Sequence, residues 1–365
     1  MSTYDTEAYR MGIEFEYQLQ ALEDGRPLHW RQLDFEMLKG VIDRSNAVSN
    51  DYMAVKYPGS AQRSTYLEGF DFTDEDGEVL DLHVKGVEIS TPVAGDVWGQ
   101  QEHLVRQYTE LQRLLADVGL RGVPYGGHSS LEEYVGPRGQ RSIEGWASAE
   151  TAMMTWGIHI NVSFPDDVEA QLDRELVEAA FERFAPALVL LSANTPVRGG
   201  GEWVVDGVVG PSERSFRRSF TRRPMYFRDE QHNRKEVTCF DITNRLDLIR
   251  GYTSIVAGLA LHGGEVDRQP VTVTDHNLRL TSVRGYDASL IDRHFRPVEP
   301  DALVVEALER AEKGLQSYGL ETASLQPLRD LAARRRTPAD DTLELWRSSR
   351  DWPTFLQAQA DLVGT

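Results

Sequence analysis

The sequence predicts an α+β fold built on a mainly antiparallel sheet, and three observations carry that prediction. Strand-like and helix-like runs are interspersed along the 365 residues. Two extended runs, "YLEGFDF" (66–72) and "EVLDLHVKGVEIS" (78–90), flank "TDEDG", whose Asp-Gly supplies turn chemistry, so the pair forms a hairpin and must run antiparallel. The glycine loops of parallel nucleotide-binding folds are missing. No G-x-x-x-x-G-K-[ST] occurs, no G-x-G-x-x-G follows a strand, and "RGGGEW" (198–203) lacks the strand-to-helix setting.

The elements follow in chain order. Residues 11–20 alternate, with β-branched and aromatic residues, and read as a strand; residues 33–42 read as a short helix, and the hairpin comes next. Residues 97–118 hold apolar side chains at helical spacing and stop at Gly119. "MMTWGIHINVSF" (153–164) is a strand ended by Pro165, and residues 172–193 are a helix whose "PALVLLSA" end is apolar nearly all round. Residues 197–224, rich in Gly and Arg, read as a long loop. "KEVTCFDI" (235–242) is a further strand and residues 246–261 a helix; from Asp301 the pattern is helical to the end, with a break at "ARRRTPADD". There is no internal repeat and no low-complexity region.

Composition limits the function. The chain carries 39 Lys+Arg against 58 Asp+Glu, a formal charge of −19, which repels phosphate backbones and anionic membranes. Nucleic acid and membrane are therefore not expected partners. No apolar stretch approaches a membrane span, and "MSTYDTEAYR" has neither the basic region nor the apolar core of a signal peptide, so a cytoplasmic location is expected. The single cysteine, Cys239, excludes an intrachain disulfide; in its apolar strand it reads as a buried, inert thiol.

The polar residues of the strands are the functional signal. Glu14 and Glu16 are two apart, so in a strand they share one face while Ile13, Phe15 and Tyr17 take the other. Like charges so placed repel, and in a half-buried site they need a cation between them; carboxylate oxygens suit Mg²⁺ or Mn²⁺. A solvated outer face is the alternative for this strand alone. Three other strands each offer a further group: Glu88 in "GVEISTPV", His159 with Asn161 in "GIHINVSF", and Glu236 in "RKEVTCFDI". A lone strand histidine is ordinarily structural, but so many carboxylate and imidazole groups on four strands of one sheet point to a shared site.

Five motifs in order resemble those of the glutamate–cysteine ligase and carboxylate-amine ligase superfamily, which has the glutamine synthetase-like fold: "GIEFE" (12–16), "DLHVKGVEISTPV" (81–93), "GIHINVSFP" (157–165), "LSANTP" (191–196) and "KEVTCFD" (235–241). The resemblance covers about residues 11–260, and the last hundred residues add nothing to it. It implies a sheet curved into an open bowl with helices outside; residues 1–300 are expected to form the catalytic domain and 301–365 a helical extension packed on it. It also implies Mg²⁺, with Mn²⁺ as a substitute, bridging ATP to an acidic substrate.

By motif position, Glu14, Glu16, Asp81, Glu88, His159 and Glu236 are the implied metal ligands. His159, Asn161, Arg214 and Arg234 are the implied nucleotide contacts, with Arg214, in "SER" (212–214), and Glu88 serving the chemistry. A solvated basic face is the alternative for any one arginine of "SERSFRRSFTRRP". The separation of seven between Asp81 and Glu88 would put them on opposite faces of a straight strand, which a bulge at Gly86 corrects. The implied reaction phosphorylates a carboxylate, and an amine then displaces phosphate to leave an amide.

One position departs from the family. Where the last strand often reads E-x-R this chain has Thr238, so Arg234, Arg245 or an arginine of the preceding loop must take over, or phosphoryl transfer is impaired. Asn161, standing where some members have a second histidine, agrees with the glutamate–cysteine ligase branch. The expected activity is an amide-forming ligation of a glutamate-like amino acid or small peptide with an amine, its specificity set by residues 125–141 and 197–224. A non-catalytic nucleotide- or metabolite-binding homologue and a phosphotransferase on the related fold are the alternatives.

Overall fold

The computed structural model describes residues 8–48, 65–73, 79–129, 134, 151–219, 223–231, 233–262, 264 and 266–364. Its centre is strand β1 (Arg10–Ala21), long enough to pair with four others: β2 (Pro27–Leu28), β4 (Val79–Ser90), β5 (Leu120–Val123) and β6 (Gly157–Ser163), all antiparallel. With β3 (Thr65–Thr73), β7 (Met225–Arg228) and β8 (Arg234–Asp241), the sheet runs in the order β7-β8-β6-β1-β4-β3 and curls into an antiparallel half-barrel.

One face of this sheet is core. Ile13, Phe15, Tyr17 and Leu19 on β1, Val87 and Ile89 on β4, and Ile158 and Ile160 on β6 are buried together. Each such side chain contributes about 1.5–3 kcal/mol by leaving water. The helices that cover them are α2 (Val97–Ala116), α3 (Arg174–Ser192) and α5 (Leu246–Leu261), with α1 (Phe35–Val48) alongside α2 and β3. Asp96 and Asp173 cap α2 and α3, each carboxylate accepting from two backbone N–H groups of the first turn. Helix α7 (Pro300–Ser317), the first of the helices after residue 300, lies on α3 and α5 and adds Leu303, Val304, Leu308 and Leu315 to the same core.

Several elements differ from the sequence-based expectation. The first helix starts later than residue 33 because Asp34 caps it, accepting from Met37 N–H at 2.7 Å, and it runs on to Val48. Residues 151–154 are helical, so β6 begins only at Gly157. The expected loop 197–224 contains two tiny hairpins and helix α4 (Glu213–Arg218), nucleated by Ser212, whose hydroxyl accepts from Ser215 N–H at 2.9 Å. Glu213 in its first turn and Arg217 and Arg218 in its last suit the helix dipole, so the basic run is a helix end as well as a charge run. Strand β7 and helix α6 (Val271–Arg284) are not among the expected elements, because four residues on an edge and a polar helix carry little periodic signal. The turn residues 74–78 lie outside the described residues. Among the described residues no helix is long and apolar enough to cross a membrane.

The pairing of β3 with β4 shifts where Glu68 faces Gly86 but Gly69 faces Val84, so Lys85 is the extra residue of a bulge. Gly86 is required there, because a Cβ would stand 2.0 Å from the Tyr17 carbonyl oxygen. Gly86→Ala is expected to lower stability by about 1–3 kcal/mol or more through overpacking. Gly40→Ala, in exposed helix with nothing within 4 Å, should raise it by about 0.5–1 kcal/mol. Midpoints of urea unfolding check both, and equal midpoints for wild type and Gly86→Ala would contradict the bulge.

Candidate active site

Cross-strand register builds the site on the concave face. In an antiparallel sheet directly opposed residues share a face, and here Glu14 stands opposite His159, Glu16 opposite Glu88, Tyr66 opposite Glu88, and Asn161 opposite Glu236. Glu14, Glu16, Glu88 and Glu236 are each less than a tenth exposed. The same strands that send Phe15 and Ile160 into the core thus hold these carboxylates on the other side.

Among the described residues two groups of ligand atoms result, each with its members within 4.8 Å of one another: Glu14, His159 and Glu236, and Glu16, Glu68 and Glu88. In the first, His159 Nδ1 lies 3.1 Å from Glu14 Oε2 and 3.7 Å from Glu236 Oε1. The outer oxygens of both glutamates are held by arginines: Arg234 Nη1 to Glu14 Oε1 at 3.1 Å, Arg234 Nη2 and Arg228 Nε to Glu236 Oε2 at 3.3 and 2.7 Å. Arg234 also donates to Asn161 Oδ1 at 2.6 Å. In the second group Lys85 Nζ, 3% exposed, reaches Glu16 Oε2 at 3.0 Å, Glu68 Oε2 at 3.4 Å and the Thr155 carbonyl at 2.8 Å. Glu16 joins the groups, since its Oε2 also accepts from Gly157 N–H at 3.0 Å while its Oε1 faces His159 Nε2 at 3.7 Å. Burial alone would raise the Glu16 carboxyl; Lys85 first, then His159 and Arg214, outweigh it and hold it well below the usual carboxylate range.

Arg214 is not a surface clamp. It is 1% exposed, and its guanidinium lies on Gly157, where a Cβ would stand 1.9 Å from Nη2. Nη2 donates to the Thr238 carbonyl at 3.2 Å and Nη1 faces Asp241 Oδ1 at 3.9 Å. Asp241 is a buried hub: its Oδ2 accepts from Asn194 N–H, the Thr195 hydroxyl and the Ser212 hydroxyl at 2.8, 2.9 and 2.7 Å. The "LSANTP", "SER" and "KEVTCFD" segments therefore meet on one carboxylate, which burial raises above its ordinary range against Arg214 and these donors.

Among the arginines considered as substitutes at position 238, Arg234 reaches the carboxylates, and so does the unforeseen Arg228, whereas Arg245 pairs with Asp247 at 2.6 Å and faces Asp341. Thr238 itself is turned to the chain before β7, its N–H bonded to the Pro224 carbonyl and its hydroxyl to the Arg223 carbonyl. A second bulge, between Val237 and Phe240, accompanies this turn. Asp81 pairs with Phe72 through the backbone, and the single bulge between it and Glu88 brings the two positions into the same parity; its side chain lies outside the described residues. So does most of 125–141. Sequence reasoning overlooked Lys85, Glu68 and Arg228. A lysine beside the bulge glycine in "HVKGVE" and a glutamate in "YLEGF" were the available signals.

The donor set fits a hard divalent cation. It offers carboxylate oxygens and one imidazole, and His159 Nε2 is buried with no hydrogen-bond partner among the described residues. Glu14, Glu16, Glu236 and His159 would hold the ion.

Residues 10–244 match the model of glutamate–cysteine ligase family 2. The chain belongs to this family. Among solved structures, the glutamate–cysteine ligase of Francisella tularensis in complex with AMP is 10% identical, with TM-score 0.64 over 97% of this chain and 88% of that one. A bifunctional glutathione synthetase from Pasteurella multocida, 12% identical, gives 0.63 over 97% of this chain, which spans 52% of that protein. The complex between the prokaryotic ubiquitin-like protein Pup and its ligase PafA gives 0.56 at 13% identity, over 98% and 73% of the two chains. At these identities the likeness is one of fold. A comparison with curated protein sequences gives no significant match.

Two outcomes follow for the family member's buried groups. Asp241→Ala strands an arginine and several donors and is expected to cost about 3–5 kcal/mol in urea unfolding. Burial pushes the Cys239 thiol up to about 12, so at pH 8 the native chain should resist alkylation and react only after unfolding in guanidinium; prompt labelling of the folded chain would contradict its burial.

Proposed function

We propose that this chain is an ATP-dependent carboxylate-amine ligase that joins a glutamate-like amino acid or small peptide to an amine through an acyl phosphate. One observation carries this: in a member of the family, the concave face gathers Glu14, Glu236 and Glu16 around His159, with arginines on the outer oxygens and the inner ones turned to the imidazole. Mg²⁺ bound there would neutralise phosphate charge as the γ-phosphoryl group moves.

The chain's own residues have distinct tasks in this reading. Arg234 and Arg228 fix the rotamers of Glu14 and Glu236, and Asn161 holds Arg234. The two arginines would also supply positive charge for nucleotide phosphates, in place of the family arginine where this chain has Thr238. Arg214 works from beneath, through Glu16 and Asp241, and Glu88 completes the acidic wall beside Glu16. The substrate carboxylate oxygen attacks the γ-phosphorus as ADP leaves; the amine then attacks the acyl carbon, phosphate departs and the amine gives up its proton. Residues 1–300 would supply this machinery and 301–365 support it from behind.

The test is ADP and phosphate release that depends on both a carboxylate and an amine. Glu14→Gln and Glu88→Gln should each lower turnover by about 100-fold or more, the upper scale on which even outer partners of a metal act, with the circular dichroism spectrum unchanged. Full turnover in both variants would sink the assignment. Tight ATP–Mg²⁺ binding without hydrolysis under any substrate mixture would instead mark a binding protein, which the placement of Thr238 favours. A phosphorylated product found by mass spectrometry would mark a phosphotransferase.

A further inference from the structure

The two carboxylate groups are neutralised in opposite ways. In the Glu14–His159–Glu236 group the arginines sit on the outer oxygens, Glu14 Oε1 and Glu236 Oε2, while Glu14 Oε2 and Glu236 Oε1 turn inward to the imidazole. In the Glu16–Glu68–Glu88 group the cation is inside: Lys85 Nζ is approached by Glu16 Oε2 at 3.0 Å and Glu68 Oε2 at 3.4 Å.

The ammonium donates to Glu16 Oε2 at 3.0 Å and to the Thr155 carbonyl at 2.8 Å, with Glu68 Oε2 beside it at 3.4 Å, and the Trp156 ring lies 5.5 Å away. Lys85 is 3% exposed, so it does not swing out to water at little cost. Its place follows from the bulge, which makes Lys85 the extra residue of β4 and carries it to the acidic face instead of the core. A divalent ion on the Glu16 and Glu68 oxygens would share them with this ammonium at close quarters, and the two positive charges would repel.

We infer that Lys85 is a built-in cation that stands in for a divalent metal in the Glu16–Glu68–Glu88 group, leaving the Glu14–His159–Glu236 group as the place where the chain takes a free divalent ion. This rests on the ligase reading only in assuming that the site binds metal at all. Its consequence is a lower metal count than two equal carboxylate groups would give.

Mn²⁺ titration of the whole chain, with free Mn²⁺ read by electron paramagnetic resonance, counts the ions. One ion is expected for the wild type and for Lys85→Arg, and two for Lys85→Met. Glu68→Gln should leave the count at one, because Glu68 serves the lysine and not the ion; this variant decides the matter if Lys85→Met does not fold. Two ions in the wild type, a lowered count in Glu68→Gln, or a folded Lys85→Met that binds no more than the wild type would each overturn the role of Lys85. One ion in the wild type with Lys85→Met unchanged leaves the ligase reading intact. A wild type that binds no Mn²⁺ and releases no ADP overturns both.

Discussion

Glu14 and Glu16 are buried side by side on a strand whose other face is hydrocarbon, and that charge has to be neutralised by the protein or by what the protein binds. An isolated buried carboxylate costs several kcal/mol. The answer comes from every neighbouring strand: Arg234 and Arg228 from β8 and β7, His159 and the Gly157 N–H from β6, Lys85 from the bulge of β4, and Arg214 from α4 beneath. The sheet order is thus an electrostatic arrangement as much as a packing one.

The same interactions tie the periphery to the centre. Asp241 gathers the end of α3, the start of α4 and the end of β8 onto one carboxylate, and Arg214 joins that hub to the acidic face. Moving any of these elements would strand buried donors, which cost about 1–3 kcal/mol each. The apolar underside then does the ordinary work, with α5 and α7 making the floor rigid. A site held within fractions of an ångström needs such a floor.

This member of glutamate–cysteine ligase family 2 shares the fold of solved structures to which it is only 10–13% identical. In this chain the carboxylates sit on the central strands, while the cations around them come from several elements. Thr238 is packed against Pro224 and Arg223, and positive charge arrives from Arg234 and Arg228 instead. Charge can be supplied from several directions, whereas a carboxylate at the centre of a sheet has one position.

Alternation of Glu with Ile, Phe and Tyr along β1, the two extended runs of the hairpin and the polar insertions on later strands determined from sequence alone that the fold is α+β, that its sheet is antiparallel and which glutamates share a face. These are properties of neighbours in the chain, and strand geometry converts them directly into faces. Gly86 likewise marked the bulge, since only glycine tolerates the Tyr17 carbonyl at that distance. What only the tertiary structure decided is which cation meets which carboxylate. Lys85, Arg228 and Arg214 are ordinary basic residues until register, bulge and helix cap bring them to Glu16, Glu236 and Asp241, because an ion pair depends on a through-space distance that residue spacing does not encode.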